Sequence, residues 1–157
     1  MKPRAAVLLL ALAGLSGGAA AQACSASATG IAFGAVDPMS VVATDATGSV
    51  TVTCGSFLIT LTLGYTVSAS AGDSGSYGGR RMSAGAAQLD YQLYRDALRS
   101  SVWGDGTGGS AAISGSLLLS ILVPVSATHT IYGRVPGSQP GAAAGSYGDT
   151  LTVTVTY

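Results

Sequence analysis

Apolar and polar residues alternate with a period of two over much of this chain. From Thr60 to Ser70 the odd positions are Leu61, Leu63, Tyr65, Val67 and Ala69, while the even ones are Thr or Ser except Gly64. Such alternation puts one face of a strand on a core and the other in water. Val50, Val52 and Cys54 alternate with Thr51 and Thr53, which turns the Cys54 sulfur inward. The last residues repeat the pattern, with Leu151, Val153, Val155 and Tyr157 set against Thr150, Thr152, Thr154 and Thr156. β-Branched residues dominate these runs, and their stiff χ1 suits a pleated surface. His129 to Val135 is a further strand candidate.

Turn residues separate these runs. Gly72-Asp73-Ser74-Gly75, Gly104 to Gly109, and the Gly/Pro/Ala-rich stretch Pro136 to Tyr147 all read as loops. Several short strands with regular turn signals predict an all-β fold, an immunoglobulin-like antiparallel β-sandwich. Two stretches are less simple. Leu89, Leu93, Ala97 and Leu98 fall at helical spacing, whereas Leu89, Tyr91 and Leu93 also alternate with Asp90, Gln92 and Tyr94, so 86–99 fits either a helix or strands. The run Leu117 to Val123 is too apolar for an exposed strand and is expected to be buried on both faces or to await a partner.

The first residues carry a different signal. Lys2 and Arg4 precede an apolar run from Ala5 to Leu15, and Ala21-Gln22-Ala23 has the small-x-small form that a signal peptidase reads. Residues 1–23 are therefore expected to be a secretory signal and residues 24–157 the exported β domain. A lipoprotein, with Cys24 as its modified first residue, is the lesser reading because the usual Leu three positions earlier is absent. Only Cys24 and Cys54 are available to pair, and an even pair in an exported chain is most simply a disulfide. Closing that interval would contribute roughly 3–4 kcal/mol in the chain-entropy model.

Composition narrows the chemistry. Among 157 residues there are seven Lys+Arg, seven Asp+Glu and one His, and 9% of residues are charged. Without Lys2 and Arg4, five Arg face seven Asp, a net of −2; no basic face invites nucleic acid. His129 is the only histidine, flanked by Thr128 and Thr130, and reads as an ordinary surface or packing residue. No Gly-x-Ser-x-Gly elbow stands between a strand and a helix. Gly104 to Gly109 lacks the Lys of a P-loop. Asp73 and Asp105 supply one carboxylate per loop, well short of a Ca²⁺ shell. Arg80-Arg81 reads as a solvated pair or as partners of an Asp. No cofactor, no metal, no small-molecule substrate and no catalytic residue is identified; a hydrolase ranks last among the functions considered.

A set of short motifs runs through the chain in order: Cys24-Ser25-Ala26, Phe33-Gly34 with Asp37-Pro38, Val52-Thr53-Cys54, Ser70-Ala71-Gly72 and Arg81-Met82. Then come Leu89-Asp90-Tyr91-Gln92-Leu93-Tyr94, Trp103-Gly104-Asp105-Gly106, Ile131-Tyr132-Gly133-Arg134-Val135 and Tyr147-Gly148-Asp149. In this order the sequence resembles the spore coat protein U domain family, which includes subunits of archaic chaperone–usher pili. The resemblance implies a strand over Leu89–Tyr94, a Cys24–Cys54 bridge, and a sandwich that lacks its final strand. It also implies partners: a periplasmic chaperone, an outer-membrane usher, and other pilus subunits, one of which would fill the gap by donor-strand complementation. Export through the periplasm to the cell surface follows from it.

On that view Leu151, Val153, Val155 and Tyr157 are the expected chaperone and donor-strand edge, with Leu117, Leu119, Ile121 and Val123 as groove candidates. Cys24 directly follows the expected cleavage site, so the chain is expected to accept a strand without donating one, which suits a tip or terminal position. The expected function is that of a non-enzymatic fibre subunit. The alternatives are a self-contained secreted coat or biofilm matrix protein, and a tip adhesin using loops such as Gly72–Arg80 or Gly104–Ser110.

Overall fold

The computed structural model describes residues 24–55, 60–121 and 123–157; the expected secretory signal, residues 1–23, lies outside them. In chain order the strands are β1 (Cys24–Thr29), β2 (Thr44–Cys54), β3 (Leu61–Ala69), β4 (Arg81–Ala84) and β5 (Ala87–Asp90). They continue with β6 (Gln92–Tyr94), β7 (Ile113–Leu119), β8 (Val125–Val135) and β9 (Val153–Thr156). One sheet has the order β1-β2-β8-β6, a second β7-β3-β9, and β4-β5 forms a separate hairpin. All pairs are antiparallel. This is the expected all-β sandwich.

The period-two pattern decides what each sheet turns inward. Val50, Val52 and Cys54 of β2, Tyr65, Val67 and Ala69 of β3, Leu117 and Leu119 of β7, and Ile131 and Val135 of β8 are all buried. Area removed from water is worth about 25 cal/mol per Å², so these residues supply most of the drive to fold. The outer face of the first sheet carries hydroxyls instead. Ser25, Thr53 and Ser126 stand side by side, as do Ser27, Thr51 and Thr128. Thr53–Ser126 and Thr51–Thr128 hydrogen bonds at 2.8 and 2.9 Å link neighbouring strands.

Residues 86–99 resolve as β5, β6 and a turn. Alternation prevails over helical spacing because Leu89, Tyr91 and Leu93 all reach the core, whereas Leu98, needed on a helical stripe, is exposed. Asp96 closes the turn by accepting hydrogen bonds from the Ser100 and Ser101 amides.

Among the described residues, backbone hydrogen bonds bridge the two sheets along one side. Val102–Gly104 threads between β6 and β7: the Trp103 amide donates to the Leu93 carbonyl at 2.9 Å, and the Ala111 amide to that of Val102 at 2.9 Å. The Trp103 indole N–H reaches the Val67 carbonyl at 3.1 Å, anchoring this strip to β3. The opposite side, between β1 and β9, has no such strip among the described residues.

Candidate binding groove

Among the described residues β1 has β2 as its only sheet neighbour, and β9 has β3. Each therefore presents a free row of backbone N–H and C=O groups on its outer margin. One end of each margin, Ala28–Thr29 of β1 and Val153 of β9, borders one cavity of about 370 Å³. Ala28–Ile31 forms one wall, Gly148–Leu151 and Val153 the other, and Val50, Leu93, Trp103 and Ile131 the floor. A second space of about 700 Å³ continues from it between Ile31–Val36 and Ala142–Tyr147. Ile31, Phe33, Met82 and Tyr147 line both, so the two make one long apolar groove.

The Cys24–Cys54 bridge is present, and the two residues are register partners on β1 and β2. It ties down the margin strand whose own side chains past Cys24 are all exposed. Near the other margin sits a polar cluster that sequence reasoning missed. Asp149 accepts hydrogen bonds from the Asp73 and Thr150 amides at 2.9 and 2.8 Å and from the Tyr91 hydroxyl. Burial pushes the Tyr91 phenol far above the usual range, and the Asp149 carboxylate pushes it further. Arg80, read from the sequence as solvated or paired with an Asp, is fully buried and makes no ion pair with an Asp among the described residues. Its guanidinium donates to the Ser70 carbonyl at 2.8 Å and to Gln92 Oε1 at 3.1 Å, and lies over the Tyr77 ring. Desolvation lowers its pKa. Arg81, by contrast, is the exposed partner of Asp90. A lone buried Arg leaves no trace in sequence periodicity; the Ser70-Ala71-Gly72, Leu89–Tyr94 and Tyr147-Gly148-Asp149 motifs are the signals that touch this cluster.

The residues expected at an edge and a groove separate. Leu151, Val153 and Val155 are half-buried with their apolar faces on the core, and Leu151 and Val153 line the groove; Tyr157 is exposed just past the strand. Leu117, Leu119, Ile121 and Val123 line neither cavity. Leu117 and Leu119 are in the closed core on β7, while Ile121 and Val123 are exposed in the connection to β8. β7 lies at the far margin of its sheet, across β3 from β9, so Leu117 and Leu119 stand away from the groove.

The lining offers one carboxylate, already taking three hydrogen bonds, and otherwise apolar or hydroxyl groups. Among the described residues no three His, Cys, Asp or Glu side chains converge as a metal site. What the arrangement offers is an apolar lining flanked by two strand margins that have no further sheet neighbour among the described residues.

The Spore Coat Protein U domain model matches residues 11–154. The chain belongs to the Spore Coat Protein U domain family. Its fold is similar to that of a chain in the crystal structure of the CsuC–CsuE chaperone–tip adhesion subunit pre-assembly complex, from archaic chaperone–usher Csu pili of Acinetobacter baumannii. The TM-score is 0.52 at 17% identity, and the alignment covers 87% of this chain and 40% of that one. At that identity the likeness is one of fold. No curated protein matches the sequence.

Proposed function

We propose that this Spore Coat Protein U domain protein is a non-enzymatic structural subunit of a chaperone–usher surface fibre, and that the β1–β9 groove receives a strand from a partner. The observation that carries this reading is the pair of free strand margins, β1 and β9, bordering one apolar groove. A free margin above an apolar cleft is an aggregation hazard that an inserted strand removes, through main-chain pairing for affinity and side-chain pockets for specificity. A periplasmic chaperone is the first occupant and a neighbouring subunit the second, with an usher between them. The solved neighbour, itself a chaperone–subunit complex, supports the chaperone. The donor-strand edge is assigned to Leu151, Val153, Val155 and Tyr157, and residues 1–23 to export.

The test is co-expression of the exported chain with its cognate chaperone. Val153→Asp places a charge in the groove and is expected to abolish capture while leaving signal cleavage intact. Undiminished capture, or a wild-type chain that is a stable monomer with the amides of β9 fully protected, overturns the reading. The second of these outcomes favours a self-contained coat or matrix protein.

A tip adhesion subunit is the second reading, favoured by one loop. Met39, Val41 and Val42 are 70%, 83% and 71% exposed. The loop is held in place, with the Ser138 amide donating to the Ser40 carbonyl at 2.7 Å and the Gln139 amide to that of Pro38 at 2.8 Å. A fixed loop presenting three large apolar side chains suits contact with an apolar surface. Val41→Ser with Val42→Ser is expected to weaken attachment to such a surface without altering chaperone capture; unchanged attachment removes this reading.

A further inference from the structure

The chain leading into β9 is fixed around one residue. Just before β9 the chain pairs with β4, where the Ser83 and Gly148 amides each donate to the other's carbonyl. Just after that point it joins β3, with the Ser70 amide donating to the Thr152 carbonyl at 2.9 Å and the Thr152 amide to Ser70 Oγ at 2.9 Å. Asp149 stands between these contacts. Its Oδ1 takes the Asp73 and Thr150 amides, and its Oδ2 takes the Tyr91 hydroxyl. Three segments far apart in sequence thus meet on one carboxylate.

The surroundings are shaped to admit that carboxylate. Gly72 has φ +80°, and a Cβ there would collide with Asp149, so both the backbone conformation and the space call for glycine. Behind Tyr91 lies the buried Arg80. Its backbone carbonyl accepts the Tyr91 amide at 3.0 Å and its guanidinium donates to the Ser70 carbonyl, so Arg80 ties the Tyr91 and Ser70 segments together through its backbone and its side chain.

Resting on the reading of the groove as a strand acceptor, we infer that Asp149 is the positioning residue of the acceptor margin. It fixes where β9 begins and so holds the groove wall ready before a strand arrives. A margin set in advance spares the incoming strand the ordering cost of that wall, which is how preorganisation raises affinity.

The probe is a labelled peptide of about nine residues alternating Val and Thr with a Lys at each end, the length of an ordinary strand. It is added to the exported chain, and amide hydrogen exchange is followed in parallel. In Asp149→Ala, exchange is expected to rise at residues 150–156 while the core amides of Val52 and Ile131 stay protected. Peptide affinity should fall about tenfold, as suits the loss of several charge-assisted hydrogen bonds. Asp149→Asn keeps the Oδ1 acceptor for both amides and is expected to restore most of the affinity. Peptide binding unchanged in Asp149→Ala overturns the positioning role and leaves the groove reading standing. Exchange rising equally in β9 and the core also overturns it, since Asp149 then only stabilises the whole fold. A wild-type chain that binds no peptide sinks the groove reading, and the positioning role with it.

Discussion

The Tyr65 hydroxyl and His129 Nε2 lie 2.7 Å apart, joining β3 of one sheet to β8 of the other. The rings meet edge to face with centroids 5.7 Å apart. The single histidine is thus spent on holding the sheets together. Gly115 is the register partner of Tyr65 on β7, and a Cβ there would run into the phenol. Tyr65→Phe is expected to cost about 1 kcal/mol, the net worth of one hydrogen bond. Gly115→Ala should cost more, because it displaces the ring. Urea unfolding of both variants checks the order; a Gly115→Ala chain as stable as wild type would show that the ring has room to move.

The disulfide fastens a strand that has little else to hold it. Cys54 is fully buried and Cys24 packs against the core, but the rest of β1 is exposed. Replacing both cysteines with Ser is expected to cost about 2–4 kcal/mol and to raise hydrogen exchange first in residues 24–29. Uniform exchange across both sheets would contradict a specific role at the β1 margin.

Arg80 is the most demanding buried group. Arg80→Ala leaves the Ser70 carbonyl without its donor, removes one of the two donors to Gln92 Oε1 (the Leu93 amide remains) and opens a void beside Tyr77. A loss of about 3 kcal/mol is expected from the cavity and the lost hydrogen bonds together. Arg80→Met fills the volume without restoring the donors and should recover only part of it. Guanidinium denaturation of the pair separates the two contributions.

Stability should fall on both sides of neutral pH. Burial raises the Tyr65 and Tyr91 phenols above their unfolded value. A raised folded pKa means that their contribution is complete below about pH 10 and is lost as pH climbs towards the folded values. On the acid side the Arg134 hydrogen bonds hold the Asp45 carboxyl below its ordinary range. Its contribution is present above about pH 4 and is lost as pH drops through the depressed value. Urea midpoints across the pH range check both signs. Tyr91→Phe should flatten the alkaline limb, and Asp45→Asn the acid one.

The chain's one tryptophan reports on the groove. Trp103 lies in its floor, with the indole N–H held by Val67. Seating a strand above it removes water from the cleft, so its emission is expected to shift to the blue on addition of chaperone or donor peptide. Emission that stays constant while binding is seen by another method would place the occupant elsewhere.

Local chemistry made much of this protein legible in advance. Alternating apolar and Thr/Ser residues set which side of each strand faces inward, because side chains on a pleated chain point alternately to opposite faces. That pattern sufficed for β2, β3 and β9, for the sandwich class and for the inward Cys54. It did not tell which margins stay open, since pairing order joins residues far apart in the chain. Leu117–Val123 looked suited to a groove wall from hydrophobicity alone, but β7 pairs on the side of β3 away from β9. Only the folded chain brought Asp149 to Asp73 and Tyr91, 76 and 58 residues away, and enclosed Arg80 among carbonyl and amide oxygens. A strand's inner face follows from its own residues; a strand's neighbour depends on the whole topology.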